Sequence, residues 1–173
     1  MYTRSLCLLL LVAGGAAHAD RLGIGAPASA EIVRAWNIDV APNGEGLPPG
    51  RGSVSAGARI YAERCAACHG PNGEGKPQDR LTGGGGTLAS SDPVKTIGSF
   101  WPYATTLFDY VRRAMPFNAP QSLGYEEVYA LVAYLLYLNG IVQADAVMDQ
   151  HSLPAVRMPN RDGFVPDPRP DIR

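Results

Sequence analysis

Cysteine and histidine are scarce in this chain, with three of each in 173 residues. Cys7 and His18 fall near the start, which leaves Cys65, Cys68, His69 and His151 for the rest. One close cysteine pair excludes a disulfide scaffold. Net charge is also nearly missing: 15 basic residues stand against 16 acidic ones, for a formal charge of −1. That excludes the basic footprint of a nucleic-acid binder or of a protein drawn to anionic lipid. No segment is long and apolar enough for a stable membrane span. No internal repeat, alternating strand pattern, Ser/His/Asp set, phosphate-cradling loop or paired-carboxylate site occurs. These absences exclude the common hydrolytic and phosphoryl-transfer sites, and no catalytic residue is assigned. They predict an all-α chain with long loops.

The chain opens MYTRSLCLLLLVAGGAAHAD. Arg4 precedes a short apolar run, Leu6 to Val12, and Ala17-His18-Ala19 has the small-residue pattern of a signal-peptidase site. Residues 1–19 are therefore predicted to be a signal peptide, cleaved after Ala19, with export to the periplasm. The competing reading is an uncleaved anchor. Loss of residues 1–19 leaves 14 basic and 16 acidic residues, a net charge of −2. Residues 20–52, with APNGEGLPPGRGS, read as an extended arm. Residues 53–143 read as the domain proper, and 144–173, with five prolines among residues 151–173, as an extended tail.

Three helices are predicted. The first runs from about Ser55 into the cysteines. The second covers Thr105 to Ala114, with Leu107, Phe108 and Val111 on one side and Met115 continuing that side before Pro116. The third covers Tyr125 to Leu138, where Val128, Leu131, Val132, Leu135 and Leu138 form one apolar stripe. Gly124 is its expected N-cap, with Glu127 reaching back to the cap N–H and Leu123 stapled onto Val128. Gly140 is its expected terminator.

Cys65-Ala66-Ala67-Cys68-His69 carries the chemistry. On a helix, Cys65 and Cys68 share a face, and His69 stands four residues after Cys65. Two thiols can add to two haem vinyl groups while the adjacent imidazole binds iron, which is why C-x-x-C-H reads as c-type haem attachment. Structural zinc needs four ligands, and the adjacency of Cys68 and His69 makes a tetrahedral site awkward. A redox dithiol calls for a βαβ setting that is missing. Met115 is the expected sixth iron ligand, because it leaves an apolar helix face. Met158 lies in the polar tail. The alternative reading of Met115 is core filler. His/Met ligation raises the potential and closes the iron to other ligands, which suits electron transfer.

Trp101 and Tyr103 flank Pro102 just before the Met115 helix. Their N–H and O–H groups are expected either at haem propionates or as polar tips of core aromatics. One of Arg112 and Arg113 can pair with a propionate through its fork of donors. The GGGG run at 83–86 reads as a loop, and His151 as a surface residue.

Over residues 53–140 the chain resembles a class I cytochrome c. Gly57, Tyr61 and Cys65 match that family's first helix, and ALVAYLLYL at 130–138 matches its last. Leu131 and Tyr134 are expected where the two helices cross, with Gly57 allowing close approach. From Trp36 onward, WNIDVAPNGEGLPPGRGS, GSFWPYATTLFDYVRRAMP and MPNRDGF resemble the haem subunit, Sox type, of bacterial sulfane and sulfite dehydrogenases. The resemblance implies one covalent haem c, a molybdenum-cofactor dehydrogenase subunit as partner and another cytochrome as electron acceptor. Some members carry a second haem domain; this chain has one C-x-x-C-H. A stand-alone carrier and a haem enzyme with a labile sixth ligand are the alternatives, separated by whether a partner is needed and whether Met115 binds iron.

Overall fold

The computed structural model describes residues 24–169. The leader expected over 1–19 lies outside the described residues. The chain divides into two units, Met1–Asn37 and Ile38–Arg173, so the division falls inside the segment read as one arm. In the first unit, α1 (Ala30–Trp36) occupies part of what the sequence presented as irregular. Ser29 caps it by accepting the Ile32 N–H at 3.2 Å. Glu31 in the first turn and Arg34 in the last suit the helix dipole. All seven residues are exposed or half-buried.

The second unit holds β1 (Arg51–Ser53), α2 (Val54–Arg64), α3 (Ala66–His69), α4 (Ala104–Ala114), α5 (Tyr125–Leu138) and β2 (Val147–Asp149). Among the described residues the regular structure is almost all helix, joined by long loops, as the sequence predicts. α5 has the bounds expected from its stripe, and residues 128–133, Leu135 and Leu136 are buried. Glu127 accepts the Gly124 N–H at 2.8 Å. At the other end the Gly140 N–H donates to the Tyr137 carbonyl and the Ile141 N–H to the Leu136 carbonyl. This is the Schellman arrangement, and it places Gly140 at φ 69°.

α2 crosses α5 at glycine. A β-carbon on Gly57 would overlap the Ala130 carbonyl and stand 2.8 Å from Tyr134 Cβ. Ala130 and Tyr134 thus meet Gly57, whereas Leu131 is turned toward a cavity. A β-carbon on Gly52 would likewise overlap the Ala130 backbone. This lets β1 run against α5 and pair antiparallel with β2, Gly52 opposite Met148. The sequence predicted no strands; three-residue strands are too short to show a period of two.

Within the second unit, residues 38–48 and the tail wrap the helices. The Val40 N–H donates to the Asp109 carboxylate at 2.9 Å. The Ile38 carbonyl accepts from Arg112 at 2.9 Å, and the Pro42 carbonyl from the Thr105 hydroxyl at 3.1 Å. Tyr129 donates its O–H to the Pro48 carbonyl at 2.8 Å. From the tail, Met148, Leu153 and Met158 are buried in the core. Met158, expected in a polar tail, is 1% exposed.

Candidate cofactor site

α2 ends at Cys65, whose φ of −125° and ψ of −38° break the helix before α3 begins. The hydrogen-bond pattern survives the break: the Cys65 N–H donates to the Tyr61 carbonyl at 2.9 Å, and the His69 N–H to the Cys65 carbonyl at 3.0 Å. The i, i+3, i+4 relation of Cys65, Cys68 and His69 is therefore kept across two short helices rather than one long one. Both thiols are free, Cys65 half-buried and Cys68 exposed. Burial pushes the Cys65 thiol up to about 11, with Arg64 opposing and Cys68 adding. Among the described residues no three His, Cys, Asp or Glu side chains converge on a metal-sized site.

His69 is oriented by the loop that follows it. Its Nδ1 lies 2.8 Å from the Asp79 carbonyl. A carbonyl can only accept, so Nδ1 carries the proton and Nε2 keeps its lone pair for a metal. The loop is pinned back onto α3: the Gly75 N–H donates to the His69 carbonyl at 2.8 Å and the Gln78 N–H to the Cys68 carbonyl at 2.9 Å. The buried Tyr61 hydroxyl donates to the Gly70 carbonyl at 2.8 Å. Burial, then nearby Cys65, pushes that phenol up to about 12.

Met115 is the C-cap of α4, its N–H donating to the Val111 carbonyl at 3.1 Å. Leu107, Val111 and Met115, at i, i+4 and i+8, line a cavity of about 860 Å³ that Cys65, Cys68 and His69 also line. Ile97, Leu123, Leu131 and Leu135 supply more of its apolar wall. The size is that of a pocket for a large organic ligand. Two thiols and an imidazole from α2 and α3, a thioether from α4 and apolar walls are a donor set that fits haem c. Met148 and Met158 do not reach the cavity.

Trp101 lines the cavity, its ring edge-to-face with Tyr110 at 5.7 Å and 80°. Tyr103, Arg112 and Arg113 do not line it. Tyr103 lies under the Arg161 guanidinium, 3.9 Å from its ring centroid, and bridges to Arg157. Arg112 binds the Ile38 carbonyl and stacks on Tyr125 at 4.9 Å. Arg113 pairs with Asp109, its Nε 2.9 Å from Oδ1. The helix explains this: residues one and two past Val111 rotate about 100° and 200° away from its face. The cations on the cavity wall are instead Arg64, Arg80 and Lys95. Only the path of the loops brings Arg80 and Lys95 there, and no local period announces them. The GGGG run packs on the segment before Ile97. Gly83 accepts from the Thr96 hydroxyl at 2.7 Å, and a β-carbon on Gly84 would overlap the Val94 carbonyl. His151 is exposed.

A family model described as cytochrome c matches residues 54–139. A solved chain of the sulfane dehydrogenase SoxCD from Paracoccus pantotrophus is 46% identical, with a TM-score of 0.79. That match covers 86% of this chain and 74% of the other. A thiosulfate dehydrogenase from Psychrobacter arcticus is 28% identical over 93 residues, 54% of this chain. The chain spans 28% of that relative's length.

Proposed function

Because the chain belongs to the cytochrome c family, carrying covalent haem c, we propose that it is the mono-haem electron-transfer subunit of a periplasmic sulfur-compound dehydrogenase. In this reading Cys65 and Cys68 would hold the haem through thioethers, and His69 and Met115 would bind its iron. Bound haem supplies a one-electron ferric/ferrous couple. The residues around it keep that couple outer-sphere. The Asp79 carbonyl holds the His69 ring, α4 presents Met115, and the wall of Ile97, Leu107, Val111 and Leu135 limits water. With both His69 and Met115 bound to it, the iron would offer no open position to a substrate.

The observation that carries the reading is the extent of the SoxCD match. It covers 86% of the chain, well beyond residues 54–139, so the wrapping segments are shared as well as the haem-binding part. The resemblance supplies the rest of the proposal. The electron donor is a molybdenum-cofactor dehydrogenase subunit acting on a sulfane or sulfite substrate. The acceptor is another cytochrome. The mature chain begins at Asp20 after export.

The test is reduction of the purified ferric protein, followed by its visible spectrum. Sulfite, thiosulfate or a sulfane donor alone is expected to leave it ferric, and addition of the molybdenum subunit to reduce it. Direct reduction by a sulfur compound, with a high-spin ferric spectrum, would identify a haem enzyme instead.

A further inference from the structure

The stretch from Phe100 to Tyr103 leads into α4 and puts one large side chain, Trp101, on the cavity wall. The residues on either side of Trp101 are held from far along the chain. Asn160 Nδ2 donates to the Phe100 carbonyl at 2.8 Å. The Phe164 ring meets the Phe100 ring edge-on at 5.2 Å. Tyr103 pairs antiparallel with Arg157, and the Arg161 guanidinium lies 3.9 Å from the Tyr103 ring centroid. Four contacts from residues 157–164 thus bracket Trp101. Met158, 1% exposed, anchors their origin in the core. None of residues 157–164 lines the cavity, so they reach it only through the segment they hold. Opposite them, Tyr110 of α4 closes on the Trp101 ring.

We propose that residues 157–164 are a strap that positions Trp101 against the haem and so sets the reduction potential. The inference rests on the haem reading of the cavity. A haem potential depends on burial and solvent access as well as on its ligands. Ferric haem carries one more positive charge than ferrous haem, so water admitted beside a loosened Trp101 stabilises the ferric form. Loosening the strap therefore lowers the potential.

Asn160→Ala tests this without changing charge, measured on the haem-loaded full-length protein in the wild-type and Trp101→Phe backgrounds. The expected result is a fall in midpoint potential in the wild-type background, with the ferric Met–iron band retained, and no further fall when Trp101 is already replaced. An unchanged potential, or an equal fall in both backgrounds, would overturn the proposal. If Asn160→Ala does not fold, Phe164→Ala removes the ring contact from a half-exposed side chain and is read in the same way. Absence of covalent haem from the wild-type chain would overturn the haem reading first, before any variant is compared.

Discussion

His69 donates its Nδ1 proton to the backbone carbonyl of Asp79 across 2.8 Å. The acceptor is main chain, so the Asp79 side chain is dispensable to it. Asp79→Ala is expected to keep the low-spin spectrum of the holoprotein, whereas His69→Ala abolishes it. Absorption spectra of the two purified variants decide the matter. Loss of low-spin character in Asp79→Ala would mean that the carboxylate, not the carbonyl, orients the ring.

The three methionines among the described residues separate cleanly by variant. Met115→Ala is expected to remove the ferric Met–iron band and lower the potential, because a thioether ligand favours the ferrous state. Met148→Ala and Met158→Ala should keep the band. Both side chains are buried core, 6% and 1% exposed, and each truncation should cost about 2–5 kcal/mol by denaturant titration. A band that survives Met115→Ala but not Met158→Ala would reverse the assignment.

The legible parts of the chain are those where a side-chain pattern states its own geometry. α5 was readable to its end residues because an apolar stripe, a Glu127 cap contact and Gly140 all agree. That Cys65, Cys68 and His69 meet on one cavity was readable because they are so close in sequence, and that Met115 faces the same cavity because α4 has one apolar face. Tyr103, Arg112 and Arg113 were placed by nearness in sequence, but one or two residues of helical rotation turn the arginines away, and tail contacts claim Tyr103. The Asp79 carbonyl left no signal, since any residue supplies one. The burial of Met148, Leu153 and Met158 depends on long-range wrapping, which shows no period in a proline-rich tail.

Gly57 tests the helix crossing. A β-carbon there would overlap the Ala130 carbonyl, and both groups belong to helix backbones that cannot rotate aside. Gly57→Ala is expected to destabilise the fold by about 1–3 kcal/mol through overpacking. Gly85 is the control, since a β-carbon there meets nothing within 4 Å. Gly85→Ala should be neutral or stabilising by up to about 1 kcal/mol. Equal melting temperatures for the two variants would mean that α2 and α5 are farther apart.

Asp109 joins the wrapping segment to α4. It is 8% exposed, accepts the Val40 N–H at 2.9 Å and pairs with Arg113. Asp109→Ala strands the buried Val40 N–H and should cost about 1–3 kcal/mol. Arg113→Gln, at a side chain 45% exposed, should cost under about 1 kcal/mol, in keeping with a partly exposed ion pair. Urea titration of both variants compares them. A larger loss in Arg113→Gln would show that the ion pair, rather than the Val40 contact, is what Asp109 supplies.

Tyr129 gives the fold a dependence on alkaline pH. Its hydroxyl is bonded to the Pro48 carbonyl at 2.8 Å. Burial, reinforced by Asp149 and opposed by Arg112, pushes the phenol from 10.0 up to about 12. Between those values the unfolded chain releases the phenol proton and the folded chain keeps it. The unfolded state therefore binds fewer protons, and stability falls as pH rises. The contribution is intact below pH 10 and lost as pH climbs toward about 12. Tyr129→Phe removes the titrating group together with the Pro48 bond, so it should lower stability at neutral pH and flatten the alkaline fall. Denaturant titrations across that window, with tyrosinate absorbance followed in parallel, test both effects. An alkaline fall of unchanged steepness in Tyr129→Phe would assign the titration to another group, with the buried Tyr61 phenol, also raised to about 12, the next to examine.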